Sequence, residues 1–324
     1  MDDVLTLAHG AGGKEMNELI SSLGLSFRGG WTGCDDDAAS YDLGDGRYLV
    51  FTTDSYTVDP IFFPGGDIGT LAVCGTINDL SVMGATPLGI SLSLVIEEGF
   101  GRKDLGRIME SVKSVSMGAS VPVVTGDTKV MGSGKLDKII INTSGVGVTG
   151  DSGLLDKKIM PGDKVLLSGG LGEHAVALLS KRFDYETDIV TDSKPLNEEM
   201  SSVRDFVKIA KDPTRGGLSS ALNEWVGKWG VGIELIEDEI PVKDQVLTVV
   251  DMLGIDLYDL ASEGRLVCAC DPGQAEQVLK NLKDFNEDAA VIGEVVEGDK
   301  LVMKTFLGKR VMPEPTGRIV PRIC

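Results

Sequence analysis

Histidine occurs twice and cysteine five times in 324 residues, and no two cysteines stand as CxxC. That scarcity excludes most zinc sites. An odd, scattered set of thiols (Cys34, Cys74, Cys268, Cys270, Cys324) also excludes a disulfide scaffold. Positive charge is short too: Lys and Arg number 31 against 50 Asp and Glu, a net charge of −19. Such a chain is no general binder of nucleic acid or anionic membrane, because both need a positive field. Apolar stretches are broken by Gly, Asn or Asp within about a dozen residues, short of the roughly 20 that a membrane span requires. The start, MDDVLTLAHGAGGKE, has neither the basic beginning nor the apolar core of a signal peptide. The protein is therefore read as cytoplasmic. No GxxxxGK[ST] loop and no kinase glycine loop with HRD and DFG partners occurs, so any ATP site is of another kind.

What is present suits two domains of roughly 150 residues each. Strand-like runs (RYLVFTTD, LGISLSLVIEE, VPVVTGD, KIIINTSGVGVT) alternate with helical patterns at Leu71 to Met83 and Leu105 to Met117. Gly, Asp and Pro cluster in GDSGLLDKKIMPGD, which marks a boundary. Beyond it come strands KVLLSG, VGIELI, RLVCAC and AAVIGEVV, with helices at His174 to Lys181, Leu196 to Ala210, Leu218 to Lys228, Val242 to Leu253 and Ala275 to Leu282. Helices and antiparallel strands segregate, so the expected class is α+β, with domains 1–150 and 151–304. Residues 305–324 form an expected flexible tail. Its prolines (Pro313, Pro315, Pro321) favour an extended path, and Lys309, Arg310, Arg318 and Arg322 against Glu314 give it +3 on an acidic protein.

Several carboxylates sit at strand ends or tight turns, where scaffolds present ligands: Asp35 to Asp37 in TGCDDDAAS, Asp54 in FTTDS, Asp127 in VVTGDTKV and Asp212 in KDPTRGG. Asp79 is the only charge in IGTLAVCGTINDLSVMG, and a carboxylate in a buried helix must be paired or bound to a cation. Dispersed single carboxylates suit Mg²⁺ shared with substrate phosphates, although each alone also suits a cap or a solvated acid. Lys129 follows Asp127 by two and shares its side of a strand, as a proton acceptor beside phosphate or as a surface ion pair. Glu263 in ASEGRLV precedes a strand. Arg215, Gly216 and Gly217 in DPTRGG either offer a guanidinium and N–H groups to phosphate or begin an ordinary helix capped by Asp212 or Thr214. Gly170, Gly172 and Ala175 with Asp192 imitate a dinucleotide fingerprint, but no apolar strand follows. His174 beside them suits a ligand contact or a structural role. Cys268 and Cys270 fit buried core. Cys324 places a thiol at the end of the cationic, proline-stiffened tail.

Taken together, HGAGGKEM, DDDAA, TTDSYTVDPIFFPGGDIG, CGTINDLSVMGATPL, EEGF, TGDTKV, DPTRGG, SEGRL and the final PRIC resemble the HypE family of carbamoyl dehydratases from hydrogenase maturation. That family falls in the superfamily of aminoimidazole ribonucleotide synthetase, selenophosphate synthetase and thiamine-monophosphate kinase. The aspartate motifs mark the superfamily broadly, and PRIC is the dehydratase's own. GEHAVA departs from the family, which more often has Gly after the His. The resemblance implies an N-terminal domain that dimerises through its sheet, a C-terminal α+β domain and a Mg-ATP cleft between them. It implies Asp37, Asp54, Asp79, Asp127 and Asp212 around metal and phosphates, with Thr53, Thr128 and Arg215 at ATP. Cys324 would take a carbamoyl group from the carbamoyltransferase HypF and be dehydrated in the cleft to a thiocyanate, with Lys129 and Glu263 as bases. The cyanide would pass to iron on a HypC–HypD complex. A small-molecule kinase or ligase with an incidental tail, and a non-enzymatic assembly partner, are the alternatives.

Overall fold

A computed structural model describes residues 4–10, 13–24, 28–34, 36–150, 157–316, 320 and 322–324. Asp35, Gly317, Arg318 and Pro321, and residues 151–156 of the boundary segment, lie outside that set. Among the described residues the alternating runs form two large sheets. The first runs edge to edge through Trp31–Thr32, Ala39–Asp42, Arg47–Tyr56, Ile139–Gly150, Thr86–Glu97 and Val123–Met131. Neighbours are antiparallel except the last pair. That parallel pair is joined by helix Arg102–Gly118, the crossover a parallel connection requires. Alternate residues such as Ile139, Ile141 and Thr143 point inward and are fully buried.

Helix Ile68–Val82 packs on that inner face. It starts three residues before the expected Leu71 because Asp67 caps it, accepting from the amides of Gly69 (2.8 Å) and Thr70 (3.1 Å). It is apolar nearly all round because both of its sides are covered. Gly75 is required where the helix meets Tyr56, whose hydroxyl occupies the space a Cβ would need. On the other side Asn78 crosses to the second half of the chain. Its amide donates to the carbonyls of Lys194 and Glu263 (both 3.2 Å), and its oxygen accepts from the Leu196 amide (2.8 Å).

The second sheet runs Ile209–Lys211, Val267–Cys270, Lys164–Leu167, Ala290–Val296, Gly232–Ile236, Leu301–Thr305 and Gly308–Val311. Strand Lys164–Leu167, which leads into the Gly170–Ala175 turn, is antiparallel to both neighbours. That arrangement removes the parallel unit a dinucleotide site requires, and Asp192 instead accepts from the Glu263 amide at 3.0 Å. Cys268 and Cys270 are fully buried. The fold is α+β, as the pattern of segregated elements predicts.

Two expectations need correction. The helix expected over Leu196 to Ala210 is helical only over Asn197–Val203, and Ile209–Lys211 is a buried strand paired with Val267–Cys270. A short apolar run fits either period, and the open sheet edge decides. The tail expected from residue 305 begins inside a hairpin, because Gly308–Val311 pairs with Leu301–Thr305, so the extended path starts beyond Val311. No helix among the described residues is long and apolar enough to cross a membrane.

Asn78→Ala removes three buried hydrogen bonds at the seam between the sheets. It should lower the unfolding free energy by roughly 2–4 kcal/mol, seen as a lower urea midpoint; an unchanged midpoint would show that the joint contributes nothing.

Candidate active site

The seam gathers carboxylates from both halves. Thr52, Asp54 and Tyr56 share the inner face of one strand. The Thr52 hydroxyl donates to Asp79 on the buried helix (2.7 Å), and the Tyr56 hydroxyl donates to Asp54 (3.1 Å). Asp212 and Glu263, both buried, come from the second half. Burial, then the charges of Asp54, Asp212 and Asp37, push Asp79 well above the usual carboxylate range. Burial and Asp37 do the same to Asp212, and burial with Asp212, Asp192 and Asp54 to Glu263. Asp37 and Asp54 are raised by burial against the opposing Lys211 and Arg215. Buried oxygens of Asp37 (Oδ2), Asp212 (Oδ2) and Glu263 (Oε1) carry no hydrogen bond.

Two cations from the second half balance part of this charge. Lys211, itself buried, lies 3.0 Å from Asp37 and 2.7 Å from Glu224. Burial opposes its charge, but the two carboxylates outweigh it and hold the ammonium above the usual lysine range. The Arg215 guanidinium lies 3.7 Å from Asp54. It precedes helix Gly217–Trp229, whose start uses Gly216 at φ 81° and has no side-chain cap. Neither Asp212 nor Thr214 caps it by side chain, and the Gly217 amide bonds the Thr214 carbonyl (2.8 Å).

The tail ends against this cluster. Its path is pinned by Asn17 on Glu314 (2.9 Å) and by Asn223 on the Met312 carbonyl (3.2 Å). The cations of this +3 segment meet acidic side chains, Lys309 on Glu234, Arg310 by Asp256 and Arg322 on Asp137. At the tip the main-chain oxygens of Arg322, Ile323 and Cys324 are each held. Arg322 O accepts from the Asp59 amide (3.2 Å) and Arg182 (3.0 Å), Ile323 O from His174 Nε2 (2.9 Å), and Cys324 O from the Thr57 amide (3.2 Å). Arg322 Nε donates in turn to Thr57 O at 2.8 Å. A cavity of about 220 Å³ lined by Ser55, Thr57, Arg215 and Cys324 opens beside the tip. Burial, then Glu263, push the Cys324 thiol up to about 12, with Arg215 opposing. Arg215 is the cation that acts on this sulfur.

Thr53, Asp127, Thr128 and Lys129 lie elsewhere. Thr53 faces the outer side of its strand, opposite Asp54, and donates to the Thr143 carbonyl (3.1 Å). Asp127, Thr128 and Lys129 are exposed on the edge strand, with Asp127 and Lys129 ion-paired at 3.0 Å. Two strands separate them from Asp54, about 14 Å at ordinary strand spacing. The ladder places Ser55, Asn142, Ser93 and Asp127 in one row on the outer face. A single chain therefore brings together Asp37, Asp54, Asp79, Asp212, Arg215, Glu263 and Cys324, but not the Asp127 group. Sequence reasoning passed over Arg182, and over Tyr56 and Lys211 although both stand beside motif aspartates, in TTDSY and KDPTRGG.

Two family models match, AIR synthase related protein N-terminal domain over residues 35–149 and its C-terminal domain over 160–305. The carbamoyl dehydratase HypE of Cupriavidus necator is 42% identical over 99% of this chain and 95% of its own. The chain belongs to the HypE family. A crystal structure of a HypE–HypF complex superposes with a TM-score of 0.85 at 39% identity, covering 93% of this chain and 99% of that one. HypE in complex with ATP gives 0.83 at 39% identity over 99% and 100%.

In this HypE-family chain no three His, Cys, Asp or Glu among the described residues converge to hold a metal unaided. The unbonded oxygens of Asp37 and Asp212 nevertheless fit a hard cation that completes its shell with phosphate and water. Two consequences can be measured. Folded-state values raised above the unfolded ones mean that the folded chain holds extra protons. The contribution of Asp79, Asp212 and Glu263 to stability is then intact below about pH 4 and declines as pH rises through their folded values. In nucleotide-free, cation-free protein at pH 8, Asp212→Asn should raise stability by on the order of 1 kcal/mol and flatten thermal unfolding against pH; a lowered midpoint would contradict the clustering. With its thiol at about 12, Cys324 should react with iodoacetamide at pH 8 roughly 1000-fold more slowly than a free thiol. Arg322→Ala, which loosens the tail, should restore much of that rate.

Proposed function

We propose that this protein uses ATP to dehydrate an S-carbamoyl group on Cys324 to a thiocyanate, the source of the cyanide ligand for iron in [NiFe]-hydrogenase. The observation that carries the reading is the docking of Cys324, through the backbone of its own tail, against Arg215, Glu263 and the aspartate cluster. Family membership and the ATP complex of a relative support ATP as the co-substrate.

The amide oxygen of the carbamoyl group is a poor leaving group until phosphorylated. Attack of that oxygen on the γ-phosphorus forms the C–O–P link and releases ADP. Loss of both N–H protons and of the C–O bond then gives S–C≡N and phosphate, so that the water of dehydration ends in phosphate. Arg215, beside Asp54 and the tail tip, would offset the charge that develops on the transferring oxygens. Glu263 is buried and raised toward neutrality, the range in which a carboxylate can take a proton and give it up again. Asp37, Asp54, Asp79 and Asp212 would hold Mg²⁺ together with the phosphates, and that ion supplies neutralisation of the phosphoryl charge. Tethering keeps the substrate at an effective concentration on the order of millimolar.

Lys129, Asp127 and Thr128 enter this reading through a homodimer. The edge strand Val123–Met131 is exposed along its whole length, with Val124 at 64% and Val130 at 68%. A second copy on the six-stranded sheet would cover it and carry these residues toward a site that lacks them. HypF, bound to a relative, would be the carbamoyl donor and a HypC–HypD complex the cyanide acceptor, all in the cytoplasm.

Phosphate release should require the loaded tail. After incubation with the carbamoyltransferase, carbamoyl donor and ATP, intact mass spectrometry should show a gain of one carbamoyl group, then a loss of one water. Cys324→Ala should show neither, and equal phosphate release from that variant would sink the reading.

A further inference from the structure

His174 is fully buried in the first turn of helix Glu173–Phe183. The Phe63 ring stands edge-on to it at 5.4 Å and 88°, fixing the plane of the imidazole. Nε2 lies 2.9 Å from the Ile323 carbonyl and Nδ1 lies 2.8 Å from the Thr191 hydroxyl. A carbonyl only accepts, so Nε2 carries the hydrogen. Thr191 Oγ1 already accepts from the Ser193 amide (3.1 Å), which frees its own hydrogen for Nδ1. The relay from Thr191 to His174 to Ile323 thus has one consistent direction. Burial holds the imidazole below the usual histidine range, and hence neutral.

Among the donors that grip the tail tip, the Thr57 and Asp59 amides belong to the backbone, and Arg182 is partly exposed. His174 is the buried side-chain donor among them, and its acceptor is the residue adjoining Cys324. When the tail lifts, the Nε2–H of this buried imidazole loses its acceptor, and the seated position restores it.

We propose that His174, oriented by Thr191, is a positioning residue that latches the Ile323 carbonyl and thereby sets where the Cys324 sulfur rests in the active site. The catalytic part of this inference rests on the dehydratase reading; the latch itself does not. An unmade buried hydrogen bond of this kind shifts the seated population by roughly 10- to 100-fold.

The test uses full-length protein and two readouts. Hydrogen exchange at the Thr57 and Asp59 amides, which bond tail carbonyls, reports seating without any turnover. Single-turnover phosphate release from carbamoyl-loaded protein reports chemistry. His174→Leu should speed exchange at both amides and slow phosphate release by roughly 10- to 100-fold, with ATP affinity unchanged. His174→Gln, whose amide can donate near the position of Nε2, should recover most of both. Thr191→Val should move both in the same direction, by roughly 3- to 10-fold, and it decides the matter if the leucine variant misfolds. Wild-type exchange in His174→Leu and Thr191→Val, or a glutamine variant as impaired as leucine, would overturn the latch. If loaded wild-type protein releases no phosphate, the dehydratase reading fails, while the exchange results still decide the role of His174.

Discussion

Like charges crowded at a seam are the constraint that the rest of this architecture serves. Asp37, Asp54 and Asp79 come from one half and Asp212 and Glu263 from the other, and Asp37, Asp54 and Asp212 each raise others of the set. Left alone, such a cluster pushes the halves apart. Asn78 holds them together with three neutral hydrogen bonds, and Lys211 pulls Asp37 against the second sheet. The near-total burial of helix Ile68–Val82 follows from the same need, because a helix that carries Asp79 between two sheets has almost no solvent face to keep polar. The repulsion remaining after these ties is what a cation and the charge-spreading transfer of a phosphoryl group can use.

Much of this was legible in the sequence, and the reason differs from residue to residue. Strand alternation is dictated by inward and outward faces, so the long strands of the first sheet stood out. Asp79 stood out because burial of a lone carboxylate is so unfavourable that its company could be inferred. The strand Ile209–Lys211 could not be separated from the helical run before it, since its period is set by a partner nearly sixty residues away, at Val267–Cys270. Asp127 and Lys129 showed their i, i+2 relation but not their distance from Asp54, which depends on strand order and not on spacing along the chain.

His174 shows the same limit more sharply. Its neighbours resembled the turn of a nucleotide fold, and only the antiparallel setting of strand Lys164–Leu167 removed that reading. Its actual partner, Ile323, is 149 residues away. Contacts between a domain and a distant tail leave no local period, because neither side needs a particular residue on its own account.

The manner in which the tail is held bears on what it carries. In the proposed reaction a substrate tethered through sulfur would change its terminal group at each stage, from thiol to thioester-like amide to thiocyanate. A site that gripped the sulfur or its substituent would bind those stages unequally and stall at the tightest. Here the grip falls on the main-chain oxygens of Arg322, Ile323 and Cys324 and on the Arg322 side chain, which are the same at every stage. In the proposed reaction, binding energy placed on the unchanging part would seat each form alike and leave discrimination to Arg215, Glu263 and the phosphates. The thiol form in that seat is held protonated at about 12. In the proposed reaction the thiol that accepts the next carbamoyl group would therefore stay quiet until the tail lifts, and the same set of backbone contacts would keep acquisition and dehydration of the group apart.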